Sequence, residues 1–168
     1  MGLGYSGVVT QARAQKASLL SEQRSLRMEE QKEKKEIQAE IKKLQDMASA
    51  VQTQGNDSKV ANSKKGALRG VALNMTSKAL TGGALSGDAL NQALIAQENN
   101  RIDKTTNKLI SPLELKINAL QDKLTTNSNN RQMRLDEIEQ EITACDEQIK
   151  DAKKQGQEAT KEMFGANG

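Results

Sequence analysis

Acid–base, metal and thiol chemistry each need particular side chains brought together, and few of them are present here. The chain has no His, one Cys (Cys145) and one Tyr (Tyr5). Metal-ligand sets and thiol–imidazole pairs therefore have too few members to assemble. Its 22 acidic residues are spread among lysines and arginines along solvated helix flanks, the wrong setting for a catalytic acid or base. Gly82-Gly83 and the nearby Gly87 lack the strand–loop–helix context and the Lys-Ser/Thr ending of a phosphate loop. The reading is a non-enzyme with no catalytic residue, no cofactor, no metal and no small-molecule substrate. Cys145 falls between Ile142 and Ile149 on an apolar stripe, where a free Cys is most simply a small core side chain. The alternative is a redox-active or intermolecular thiol.

The basic residues are the other candidates. The net charge of +3 is too balanced to argue for nucleic acid. The dense run 28–43 mixes both signs, which cancels the field a phosphate backbone would need. Aromatics make up 1% of the chain, so the stacking platforms of single-strand binders are missing too. The charge is uneven, however. Residues 53–112 carry eight basic and four acidic side chains, against eight and eleven in 113–168. Lys64, Lys65, Leu68, Arg69, Val71 and Met75 form a basic amphipathic helix, a face suited to a partner or to an acidic membrane surface. Packing among the short helices of that region is the favoured reading, and membrane contact is not favoured.

These groups must be positioned by helices. Few aromatics, one proline (Pro112) and an apolar set of Leu, Ile, Ala, Val and Met suit thin helix–helix seams better than a globular core. Leu113, Ile117, Leu120, Leu124, Leu135, Ile138, Ile142, Cys145 and Ile149 recur mostly at three- and four-residue steps, as do Ala12, Leu19, Leu26, Ile37, Ile41, Leu44 and Ala48 over longer gaps. Such a stripe marks one helix face and needs a partner. Folding the chain back pairs Ala12 with Ile149, Leu19 with Ile142, Leu26 with Leu135, Ile37 with Leu124, Ile41 with Leu120, Leu44 with Ile117 and Ala48 with Leu113; in each pair the residue numbers add to 161. Both stripes break together, between Leu26 and Ile37 and between Leu124 and Leu135. A shared stutter of that kind suits helices built for each other.

The spacing predicts an all-α fold: an elongated antiparallel coiled-coil hairpin with a smaller Ala/Leu/Gly-rich helical head or turn region in its middle. The predicted parts are a flexible arm over 1–7, a long helix over 8–52, a central region over 53–112, a second long helix over 113–163 and a frayed tail over 164–168. Gln54-Gly55-Asn56-Asp57-Ser58 reads as a break. Short helices are expected over 66–80 and 88–100, with the turn at Gly82-Gly83 and Ser86 or Asp88 as cap. Ser111-Pro112 reads as a helix start. Thr125 to Asn130 is poor helix sequence, either a joint or a tolerated polar patch. Two architectures stay open: one long hairpin turning at Gly82-Gly83, or long arms holding a folded head.

Two terminal helices bracketing a variable middle, with few aromatics, prolines or cysteines, resemble the coiled-coil hairpin filament and tip subunits of type III secretion, the EspA kind. The resemblance is one of layout over most of the chain, with no diagnostic motif. It implies a self-associating structural subunit whose partners are protein, copies of itself foremost. A phage virion or ejection component and a soluble coiled-coil adaptor, stalk or chaperone of an export machine are the alternatives. No cleavable signal or membrane span is read, so the expected location is outside the cell by a signal-less route, in a virion, or in the cytoplasm.

Overall fold

The structure is a computed structural model, and it describes residues 3–81 and 87–165, with side chains placed over 4–76 and 87–165. It is an all-α helical hairpin of two helices packed on each other, α1 (Leu3–Thr81) and α2 (Gly87–Gly165). Residues 82–86, where the sequence places the turn, lie outside the described residues, as do 166–168.

The chain divides into two units. The first comprises Met1–Ile37 with Asp122–Gly168. Its core is aliphatic: Ala12, Leu19, Ile37, Leu135, Ile138, Cys145 and Ala152 are buried, with Leu26 and Ile142 packed on the Leu19–Ile138–Cys145 cluster. Ile138 is fully enclosed. The second unit is Gln38–Gln121. Around Ile41, Leu44, Ala48, Leu113, Ile117 and Leu120 it too is aliphatic, but over 55–106 the interior positions pass to small and polar residues. Gly55, Asn62, Gly66, Gly70, Asn91 and Thr106 are buried there.

Several expected boundaries are absent. α1 runs through Gln54–Ser58 without a break. A mid-helix Gly costs about 1 kcal/mol relative to Ala, but Gly55 lets α2 approach so closely that a Cβ would stand 2.5 Å from Thr106 Oγ1. The hydroxyls alongside are satisfied within the helix, Thr53 donating to the Ser49 carbonyl at 2.9 Å and Ser58 to that of Gln54 at 2.8 Å. Packing outweighs turn propensity. Of the two architectures left open, the helices follow the long hairpin rather than a folded head, and the helices expected over 66–80 and 88–100 are stretches of α1 and α2.

α2 also passes through Pro112. Proline frees the carbonyl four residues back, and Lys108, Ser111 and Pro112 are all exposed, so water can take that bond while Ile110 and Leu113 stay half-buried on the seam side. Residues 125–130 are helical without a joint. At the front, the expected arm is helix from Leu3 onward; Tyr5 is half-buried beside Gly156, and Thr10 donates to the Ser6 carbonyl at 2.8 Å. At the rear, Phe164 and Gly165 still belong to α2.

Candidate interaction surfaces

In the first unit the shared gap in both stripes is filled by a polar layer. Glu30 and Glu33 on α1 and Asn127, Ser128 and Arg131 on α2 occupy the seam positions that the aliphatic spacing skips, and all five are half-buried. Arg131 forms an ion pair with Glu33, and Asn127 donates to the same carboxylate at 2.6 Å. Ser128 donates to Glu30 at 3.1 Å. One helical turn on, Arg134 grips Glu22 through Nε and Nη2 at 2.9 and 3.2 Å, while its Nη1 reaches Glu137 and Glu141 on its own helix. The hydrogen bond from Arg131, then that from Asn127, holds the Glu33 carboxyl below its ordinary value despite partial desolvation. Glu22 and Glu137 push the Arg134 guanidinium up, keeping it charged. Of the weak helix formers in 125–130, Asn127 and Ser128 are thus used across the seam, where their side chains bond to α1 rather than compete with their own backbone.

The sixteen seam residues read from the sequence are all turned inward to some degree. Ala12, Leu19, Ile37, Leu44, Leu135, Ile138 and Cys145 are buried, and Leu26, Ile41, Ala48, Leu113, Ile117, Leu120, Leu124, Ile142 and Ile149 are half-buried. On the flank of the first unit, Lys16 donates to both oxygens of Asp146 at 2.6 Å. Beyond the last of the seam residues, Met163 is exposed.

In the second unit the sequence reading and the structure part. Leu68, Val71 and Met75 are 76%, 58% and 70% exposed; they are neither core fillers nor paired with α2. Leu90, whose number and that of Val71 also add to 161, is exposed as well. The register is kept by other residues. A Cβ on Gly66 would stand 2.4 Å from Ile95 Cδ1. Asn91 donates to the Gly66 carbonyl at 2.7 Å, and Asn62 donates to Asn99 Oδ1 at 3.0 Å and to the Ile95 carbonyl at 3.3 Å. Lys59 pairs with Asp103 on the flank. Glycine seams and buried amides carry no hydropathy signal, so periodicity reasoning passed over them. Their four- and seven-residue spacing, with Gly55–Thr106, Gly66–Ile95 and Gly70–Asn91 each adding to 161, was the available clue.

No protein-family model, curated protein or solved structure matches the chain.

Among the described residues, no three His, Cys, Asp or Glu side chains converge as a metal-holding group. A shallow groove of about 390 Å³ beside Gly55 is lined by Val51, Ser58, Glu98, Arg101, Thr105 and Leu109 among others. It offers no nucleophile paired with a base. No helix among the described residues is long and apolar enough to cross a membrane. What the geometry does present is surface: Met28 and Met133 in the first unit, Met47, Leu109 and Leu115 in the second, and the Leu68–Val71–Met75 stripe, all exposed.

Proposed function

We propose that this protein is a non-enzymatic structural or assembly protein, a self-associating helical subunit of a larger complex. The observation that carries the reading is the placement of large apolar side chains on outward faces of a hairpin whose internal seam is already complete. Met28 and Met133 in one unit and Leu109 and Leu115 in the other stay wet in a solitary hairpin. Lateral packing against further helices would cover them. A secretion filament or tip is the assembly the layout fits first, and a phage virion component is the second.

The test is the mass and form of the purified protein. Multi-angle light scattering is expected to show mass rising with concentration, and negative-stain microscopy to show ordered polymers. A fixed monomer or dimer at every concentration would overturn self-assembly and favour the adaptor or stalk reading. That alternative draws on the heavily charged surface, 28% Asp, Glu, Lys and Arg overall.

A further inference from the structure

We propose that the outward face of α1 over residues 57–76 lies against an anionic lipid surface. Three observations converge on it. Leu68, Val71 and Met75 stand at i, i+3 and i+7, hence on one helix face, and their exposure shows that this face points away from α2, whose side is taken by Gly66 and Gly70. Lys64, one turn before Leu68, shares the face, and Lys65 and Arg69 flank it; all three are exposed. Between Asp57 and Asp88 the chain carries five basic side chains and no acidic one.

An aliphatic stripe edged by long cationic side chains is the pattern of a helix lying in the plane of a membrane interface, its apolar face in the acyl boundary and its lysines reaching back to the headgroups. Contact at the surface, without insertion of a span, agrees with the lack of a membrane-crossing helix among the described residues.

The charge also selects against the other occupants. A symmetric contact with a second copy would set Lys64, Lys65 and Arg69 against their own equivalents, with no acid within 58–87 to neutralise them. A copy offering its acidic α2 face brings Asp136, Glu139 and Glu147, but that groove is completed by Gln140, Thr143 and Ala144. It matches the cations and leaves Leu68, Val71 and Met75 uncovered. An anionic bilayer satisfies both requirements.

The chain has no Trp, so one introduced indole reports its own surroundings. Leu68→Trp and, as a control in the other unit, Met28→Trp are prepared in the full chain and mixed with phosphatidylcholine vesicles, with or without phosphatidylserine. The expected result is a blue shift for Leu68→Trp on the phosphatidylserine vesicles only, reversed by salt, with no shift for Met28→Trp. In co-sedimentation, Leu68→Asp/Val71→Asp and Lys64→Glu/Lys65→Glu should each lower the bound fraction about tenfold or more, with helix content by circular dichroism unchanged. No shift on anionic vesicles, or equal binding to neutral ones, would overturn the proposal. So would a lipid-free drop in light-scattering mass for Leu68→Asp/Val71→Asp, which would assign the stripe to copy–copy contact.

Discussion

If the glycines of the second unit serve close helix approach, one substitution should have opposite effects at two sites. Gly7 and Gly55 both lie within α1. A Cβ at Gly7 meets nothing within 4 Å, whereas at Gly55 it stands 2.5 Å from Thr106 Oγ1, 3.2 Å from Cγ2 and 3.4 Å from Cβ. Replacing Gly by Ala in a helix gains about 1 kcal/mol from propensity alone, so Gly7→Ala should stabilise by up to that amount. At Gly55 the same gain is opposed by overpacking, typically about 1–3 kcal/mol. Thr is stiff at χ1 in a helix, and rotating its hydroxyl leaves the Cβ contact, so the cost falls within that range. The net expectation is destabilisation of roughly 1 kcal/mol, or about 2–4 °C in Tm for a chain of this size. Far-UV circular dichroism during urea and thermal unfolding measures both. A double-mutant cycle with Thr106→Ala cancels the propensity terms and should leave a favourable coupling of about 1–2 kcal/mol in the double variant. Equal stabilisation by both Gly→Ala changes, with no coupling in the cycle, would refute the close-approach argument.

Two further outcomes follow from the first unit. Ile138→Ala removes the one fully enclosed large side chain among the described residues and should cost roughly 2–5 kcal/mol in urea unfolding; a loss well under 1 kcal/mol would mean that its surroundings collapse freely. Glu33 has its folded pKa depressed below 4.5 by Arg131 and Asn127, so its contribution is full above that value and is lost as pH falls through the folded pKa. Thermal unfolding of Glu33→Gln should therefore lose less stability than the parent between neutral pH and about pH 3, and parallel acid profiles would contradict the Glu33–Arg131 pairing.

The antiparallel register was legible because aliphatic residues report burial directly: Leu19, Ile142, Leu26 and Leu135 have few comfortable alternatives to a seam. The coincident gap was legible as a gap. Its content was not, because Glu33 and Arg131 on a helix full of charge look like any solvated pair until their partners are placed. Over 55–106 the signal inverted. Leu68, Val71 and Met75 repeat with clean helical spacing and so read as core, while Gly66, Gly70 and Asn91 do the packing with almost no transfer free energy to advertise it. Gly55 and Pro112 misled for a related reason. Local turn preference is worth about 1–3 kcal/mol, less than the packing along an extended helix pair can supply.

The polar layer has a bearing on fidelity. An all-aliphatic two-helix zipper can ratchet by one heptad and still match grease to grease. Here a seven-residue slip toward the start of α1 would carry Arg131 from Glu33 to Leu26, stranding a guanidinium against a hydrocarbon wall and leaving Glu33 without its counter-ion. The polar layer therefore penalises that slip, and within the first unit it favours the observed alignment over a near-equivalent neighbour.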